Sequence, residues 1–203
     1  MEAITTEHLV GYTGEIIPDE DGMNPRTDFD NLGTMYCQHS RYDLGDKGAD
    51  DPREMNQPMI QLPLYLLDHS GLWISTGDFN DPWDSGQVGI IYITLAKVRK
   101  EYSAKRVSAQ LRARVLQYLE GEVETYNQYL TGDVYGYTIT DPAGEIVDSC
   151  WGYYGMEDVE KEMKSMLDYH VNERKRERFA KLKALIRNRV PFGAREAALR
   201  YGV

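Results

Sequence analysis

The 203-residue chain holds only two cysteines, Cys37 and Cys150, and four histidines. Two thiols cannot build a disulfide framework in a chain of this length. Without an export signal they are expected to be reduced thiols in the cytosol. No apolar run approaches the ~20 residues that a membrane-spanning helix requires. The opening residues, Met1-Glu2-Ala3-Ile4-Thr5-Thr6-Glu7, are acidic and lack the apolar stretch of a signal peptide. A soluble, cytoplasmic protein is therefore expected, with no membrane partner. There is no phosphate-binding loop, dinucleotide fingerprint, HExxH or GxSxG motif. No internal repeat or low-complexity tract occurs. The enzyme classes that those motifs mark find no support, and whether the chain is an enzyme at all stays open, with the balance leaning against.

What is present is apolar content of 41% with fifteen tyrosines, enough for a core and for half-buried sheet faces. Charge is unevenly spread. The net charge is −10, yet residues 173–203 carry ten Lys/Arg against three Glu, a net of +7. Residues 1–172 carry thirteen Lys/Arg against thirty Asp/Glu, a net of −17. This suggests an acidic domain over 1–172 and a basic helical tail over 173–203. The body should attract basic surfaces and repel nucleic acid, and the tail the reverse.

Periodicity gives the elements. Leu9–Ile17 reads as a short strand interrupted at Gly11 and Gly14, followed by turn-rich sequence from Pro18. Residues 34–39 have strand character, and Asp43–Pro58 is an acidic loop. Met59–Leu67 and Leu72–Thr76 read as two strands joined by Asp68-His69-Ser70-Gly71. Pro63 places the first at a sheet edge or at a bulge. Gln87–Ile93 is the strongest strand. Thr94 caps a short helix through Glu101, and Val107, Leu111, Val115, Leu119, Val123, Tyr126 and Leu130 trace one stripe of a long one. A hairpin turns at Asp141-Pro142-Ala143-Gly144. Helix is expected from Glu157 to about Asn188, then a final short one. The order predicts an α+β fold: a mostly antiparallel sheet, helices on one face, and a basic C-terminal helical tail.

Several polar clusters fall in loops or at strand ends, where sites tend to lie. Cys37, His39, His69 and Cys150 have the ligand types of zinc, but no Cys-x-x-Cys pair. Cysteine with histidine could also make a nucleophilic pair. Asp78, Asn80, Asp81 and Asp84 are spaced wrongly for an EF-hand, because Pro82 stands at a ligand position. Asp46, Asp68, Asp84 and Asp148 with His39 and His69 could form a hydrolase centre. If the chain is an enzyme, His39, His69, Asp84 and Cys150 are the residues to watch. No metal or other cofactor is expected. The C-terminal run Gly193-Ala194-Arg195-Glu196-Ala197-Ala198-Leu199-Arg200-Tyr201-Gly202-Val203 is similar to the first helix and turn of a helix-turn-helix, ending where a recognition helix would begin. Weak phosphate contact by Arg174, Lys175, Arg176, Arg178, Lys181 and Lys183 is the expectation for the tail.

Further segments carry a resemblance. They are Pro25-Arg26, Asp30-Asn31-Leu32-Gly33-Thr34-Met35, Cys37 with His39-Ser40-Arg41-Tyr42 and Leu44-Gly45-Asp46, Leu62-Pro63-Leu64-Tyr65, and Asp68-His69-Ser70-Gly71. Pro82-Trp83-Asp84-Ser85-Gly86-Gln87-Val88-Gly89, Tyr129-Leu130-Thr131-Gly132-Asp133-Val134-Tyr135-Gly136 and Val147-Asp148-Ser149-Cys150-Trp151-Gly152 complete it. Together they resemble a family of uncharacterised bacteriophage and prophage proteins over roughly residues 25–155. The resemblance implies a bacterial host and no particular chemistry. With the charge distribution, it makes an accessory protein that binds and inhibits a host nucleic-acid-handling or defence protein the leading expectation. Asp19, Glu20, Asp21, Asp28, Asp30, Asp43, Asp46, Asp50 and Asp51, with Trp83, would face a basic groove on that host protein. A small metal- or thiol-dependent hydrolase and a DNA-binding factor acting through the tail are the alternatives.

Overall fold

Val10 (φ 51°) and Gly11 (φ 84°) both adopt the left-handed conformation that a two-residue hairpin turn requires. They fold β1 (Thr5–Leu9) back onto β2 (Tyr12–Pro18) in antiparallel register. The stretch read as one interrupted strand is thus a turn and a strand: Gly11 makes the turn, while Gly14 lies inside β2. A Cβ at Gly14 would come within 2.8 Å of Leu167 Cδ1, so glycine is what lets a helix lie so close to the sheet.

The computed structural model describes residues 2–201, and these pack as two compact units. The first joins the segment ending at Pro18 to the chain from Tyr135 onward. Its sheet has the order β1-β2-β7-β8, with β7 (Val134–Thr140) and β8 (Ile146–Tyr154). The long helix α4 (Met156–Arg187) crosses one face of this sheet. Val159, Met163, Leu167 and Val171, spaced by four, pack on Tyr12, Ile16, Tyr137 and Ile139. Each such buried side chain contributes about 1.5–3 kcal/mol. Residue 172 lies inside α4, so acidic and basic halves share one helix, and beyond Val171 its face is no longer buried. The last helix is α5 (Phe192–Tyr201), and Gly202 and Val203 of the helix-turn-helix-like run lie outside the described residues.

The second unit is Asp19–Val134. Its sheet has the order β3-β6-β4-β5, from β3 (Thr34–Cys37), β4 (Met59–Asp68), β5 (Leu72–Ser75) and β6 (Ser85–Thr94). β4 is an inner strand, but Pro63 lies on the stretch that pairs with β6 alone, a local edge, with the bulge just beyond it. The β4–β6 register shifts between Leu64 and Tyr65, and pairing with β5 begins only at Tyr65. The missing N–H of Pro63 falls where β5 has not yet started. α2 (Leu95–Glu101) is capped by Thr94, whose hydroxyl accepts from Lys97 N, and α3 (Ala109–Thr131) by Ser108. α3 lays Val115, Leu119, Val123 and Tyr126 on Met35, Ile60, Leu64, Ile74, Ile91 and Ile93.

The α+β class is as expected, with antiparallel pairing and helix on one sheet face. The single sheet is not. The strands divide into two four-stranded sheets, each with its own long helix, because the first hairpin pairs with β7 across more than a hundred residues.

One polar cluster ties the second unit together. α1 (Pro25–Asp28), capped by the Asn24 side chain, presents the buried Arg26. Its Nε and Nη2 donate to Asp46 at 2.7 and 2.9 Å, Nη1 donates to Glu122 at 2.9 Å, and Nη2 also donates to Gly33 O. Asp46 accepts from Met35 N as well, and Glu122 from Leu32 N and Gly33 N. One guanidinium thus answers two carboxylates, and backbone N–H groups supply the remaining donors, the hydrogen bonding under which burying such a cluster is tolerable.

Candidate functional site

At one end of the second unit, the β4–β5 turn meets the loop leading into β6. Asp81 organises that loop. Its carboxylate accepts from the backbone N–H groups of Trp83 and Asp84 at 2.9 and 3.0 Å, and its carbonyl accepts from Ser85 Oγ. Those backbone bonds hold the Asp81 carboxyl below its usual range. Asp78 accepts likewise from Asn80 N, with Asn80 at φ 56°. This knotted loop holds Trp83 out in solvent, 90% exposed. Of the aspartates that suggested a cation loop, Asp78 and Asp81 are spent on turns and Asp84 on His69.

Beside Trp83 lies a cleft of about 350 Å³, lined among others by His39, Arg41, Asp68, Asp84 and Gln87. Arg41 donates to Asp68 at 2.6 Å, and the Tyr42 hydroxyl donates to the same oxygen at 3.0 Å. That donation to a carboxylate, with some burial, raises the Tyr42 pKa. His39 stacks on Tyr42 with ring centroids 5.0 Å apart, and the Arg41 guanidinium lies 5.4 Å from the same ring. At the rim, His69 Nδ1 sits 2.6 Å from Asp84 Oδ2. The cleft is thus an aromatic and charged concavity whose polar groups are braced against one another.

The structure gathers His39, His69, Asp84 and Trp83 at this end of one unit, while Cys150 lies exposed on β8 in the other. Carboxylate on Nδ1 is how an imidazole is oriented for proton transfer. The His69 side chain is 70% exposed, however, and among the described residues no hydroxyl or thiol bonds to its other nitrogen. Cys37 points into the core of its unit, where burial and the nearby Asp46 push its thiol up to about 12. A thiolate there is unavailable at neutral pH. Native protein should accordingly show one reactive thiol, Cys150, towards an aromatic disulfide reagent and two after denaturation; two in the native state would contradict this placement. Among the described residues no group of three or more His, Cys, Asp and Glu is arranged to hold a metal ion.

His69 offers a direct check. Its hydrogen bond to Asp84 and that carboxylate's charge raise its pKa above the ordinary 6.5. The pair's stabilisation is complete below about pH 6.5 and is lost as pH rises through the raised value. In a histidine NMR titration its midpoint should exceed the ordinary value, and Asp84→Asn should return it there.

The acidic residues proposed for binding separate into two groups. Asp46 is consumed by Arg26, Asp51 is held by Arg53 at 2.6 Å, and Asp28 accepts from Asn24 N and Thr27. Arg53 accordingly draws the Asp51 carboxyl down to about 2. Glu20, Asp21, Asp30, Asp43 and Asp50 are exposed, and Asp19 is half-buried. The tail cations Arg174, Lys175, Arg176, Arg178, Lys181 and Lys183 are exposed on α4. Arg174, Arg178 and Lys181 join Arg200 of α5 along a second cleft of about 550 Å³, into which Glu177 and Glu196 also face. The roles of Arg41 and Tyr42 were not legible beforehand, since they depend on Asp68, twenty-seven and twenty-six residues away.

Comparison with protein-family models, curated proteins and solved structures yields no match.

Proposed function

We propose that this protein acts by binding: it docks its acidic, tryptophan-bearing end on a basic surface of a host nucleic-acid-handling or defence protein and blocks it. The observation that carries the reading is Trp83, 90% exposed on a loop stiffened by its own turn hydrogen bonds. A folded chain gains nothing from holding its largest apolar side chain in water. A partner that buries ~200 Å² of it recovers on the order of 5 kcal/mol before the costs of association. Tryptophan, with tyrosine and arginine, is enriched among the residues that carry most of the binding energy at protein interfaces. The charge of the unit selects the partner. Asp78, Asp81 and Asp84 stand in the loop that carries Trp83, while Asp30 and Asp50 lie towards the other end of β6. Residues 19–84 together carry fourteen Asp/Glu against four Lys/Arg, a balance that repels nucleic acid and draws in the grooves that bind it. The phage resemblance supports a bacterial host as the setting.

The experiment is a tagged capture from bacterial lysate with wild-type and Trp83→Ala protein side by side. A stoichiometric basic protein that handles nucleic acid, held by wild type at low salt and lost by the variant, supports the proposal. Capture that survives about 0.5 M salt unchanged would defeat the electrostatic part. Equal capture by both proteins would defeat the site.

A further inference from the structure

The acidity of the second unit is interrupted after β6 and resumes only at Glu120. Residues 97–114 carry seven Lys/Arg against one Glu, a net of +6 in eighteen residues of a chain whose total is −10. They span α2, the connection to α3, and the first turn and a half of α3. Lys97, Arg99, Lys100, Lys105, Arg106 and Arg112 are all exposed, as is Arg114. None of the seven forms a salt bridge among the described residues. Lys97 donates weakly to Asn31 O, and Arg114 donates to the Tyr118 hydroxyl while lying 5.6 Å from the Tyr102 ring and 5.5 Å from the Tyr118 ring. The two tyrosines thereby fix one guanidinium in place and tie the end of α2 to α3.

From this patch we infer a binding surface for the phosphate backbone of nucleic acid, separate from the Trp83 cleft and independent of the function proposed there. A concentration of unpaired cations calls for an anionic ligand, and the apolar content of the surface decides which. A protein interface has an apolar centre, and a membrane-binding helix has an apolar face to insert. From Leu95 to Arg114 no large apolar side chain is exposed, and Tyr118 is the nearest one that is. What the patch offers is charge, spaced along two helix ends, and four guanidinium forks suited to phosphate oxygens. Contacts made to phosphate oxygens carry no sequence information, so binding through them is sequence-independent. Asp30 adjoins Asn31, whose carbonyl Lys97 contacts, and tempers that end of the patch. The acidic loop of Asp78, Asp81 and Asp84 lies at the other end of β6, beyond the reach of about 8–10 Å that salt leaves to exposed charges. That separation orients the unit, patch first, towards a polyanion.

The test uses the full chain and three fluorescent probes of about 30 nucleotides: single-stranded DNA, the same sequence as duplex, and RNA. Anisotropy is followed from about 50 to about 200 mM salt, over which four neutralised phosphates would weaken duplex binding about a hundredfold. The patch variant is R99E/R106E/R112E; all three side chains are exposed, and circular dichroism confirms that its helices persist. A tail variant, R174E/R178E/K181E, serves as comparison. The expected result is binding by wild type, at least tenfold weaker in the patch variant, with the salt slope reduced by about three, one for each lost cation. The tail variant should retain the patch-dependent loss when the two sets are combined. Wild type that binds none of the probes at low salt would overturn the inference, as would a patch variant with unchanged affinity and slope. So would competition by polyglutamate as effective as by DNA, which would make the ligand an acidic protein, or retention on anionic vesicles but not on nucleic acid.

Discussion

Replacing Arg26 by alanine is expected to destabilise the Asp19–Val134 unit by about 3–5 kcal/mol, the cost of leaving buried charges without their partner. The Arg26 side chain is 1% exposed and answers two carboxylates, Asp46 and Glu122, whose side chains are 25% and 15% exposed. Without it these two carboxylates face a cavity and each other. Lysine is expected to restore little, because one ammonium cannot reproduce the two-pronged contact to Asp46 together with the bond to Glu122. The usual remedy for a buried ion cluster, replacing all of it with apolar side chains, should also fail. Asp46 and Glu122 accept from the backbone N–H groups of Met35, Leu32 and Gly33, and apolar substitutes would orphan these donors. Urea denaturation followed by fluorescence is the measurement. A loss of this size should lower the midpoint by about 1–3 M for a unit of ordinary slope. A loss under about 1 kcal/mol would mean that the cluster is solvated in solution and does not hold α1, β3 and α3 together.

That cluster also shows where sequence reading stops. Elements with strong local signals were legible. The stripe from Val107 to Leu130 gave α3, Thr94 gave the cap of α2, and Asp141-Pro142-Ala143-Gly144 gave the turn before β8. Each depends on residues a few places apart, where periodicity and turn chemistry speak directly. Arg26, Asp46 and Glu122 are separated by 20 and 96 residues, and nothing near any of them announces the others. Asp46 was accordingly read as surface charge. The pairing of β2 with β7 is equally non-local, which is why one sheet was expected and two are present. At the candidate site, the polar clusters around His39, His69 and Asp84 were identifiable as loop segments, and the convergence of their side chains was not. The basic run from Lys97 to Arg114 was legible in principle. Its charges stand in the sequence, but a tally over the whole acidic body averaged them away.

Trp83→Ala should leave stability within about 0.5 kcal/mol of wild type, since a side chain 90% exposed contributes little to the fold. Its effect should appear in affinity for the captured partner: a loss of about 2–4 kcal/mol, or roughly thirty- to a thousandfold. The separation of these two readouts is what makes the variant informative. The loop that carries Trp83 is held by Asp81 through backbone N–H groups that remain in the variant, so the substitution removes the ring and leaves its platform. Asp43→Lys, an exposed change outside that turn, should act differently. A charge at the rim of an interface mainly alters the association rate and its salt dependence, while a buried anchor alters dissociation. Surface plasmon resonance at two salt concentrations distinguishes them. Faster dissociation for Trp83→Ala with slower association for Asp43→Lys places the ring at the interface centre and the acidic field around it. An affinity for Trp83→Ala within threefold of wild type would move the docking surface away from this cleft, and the acidic residues would then need another anchor.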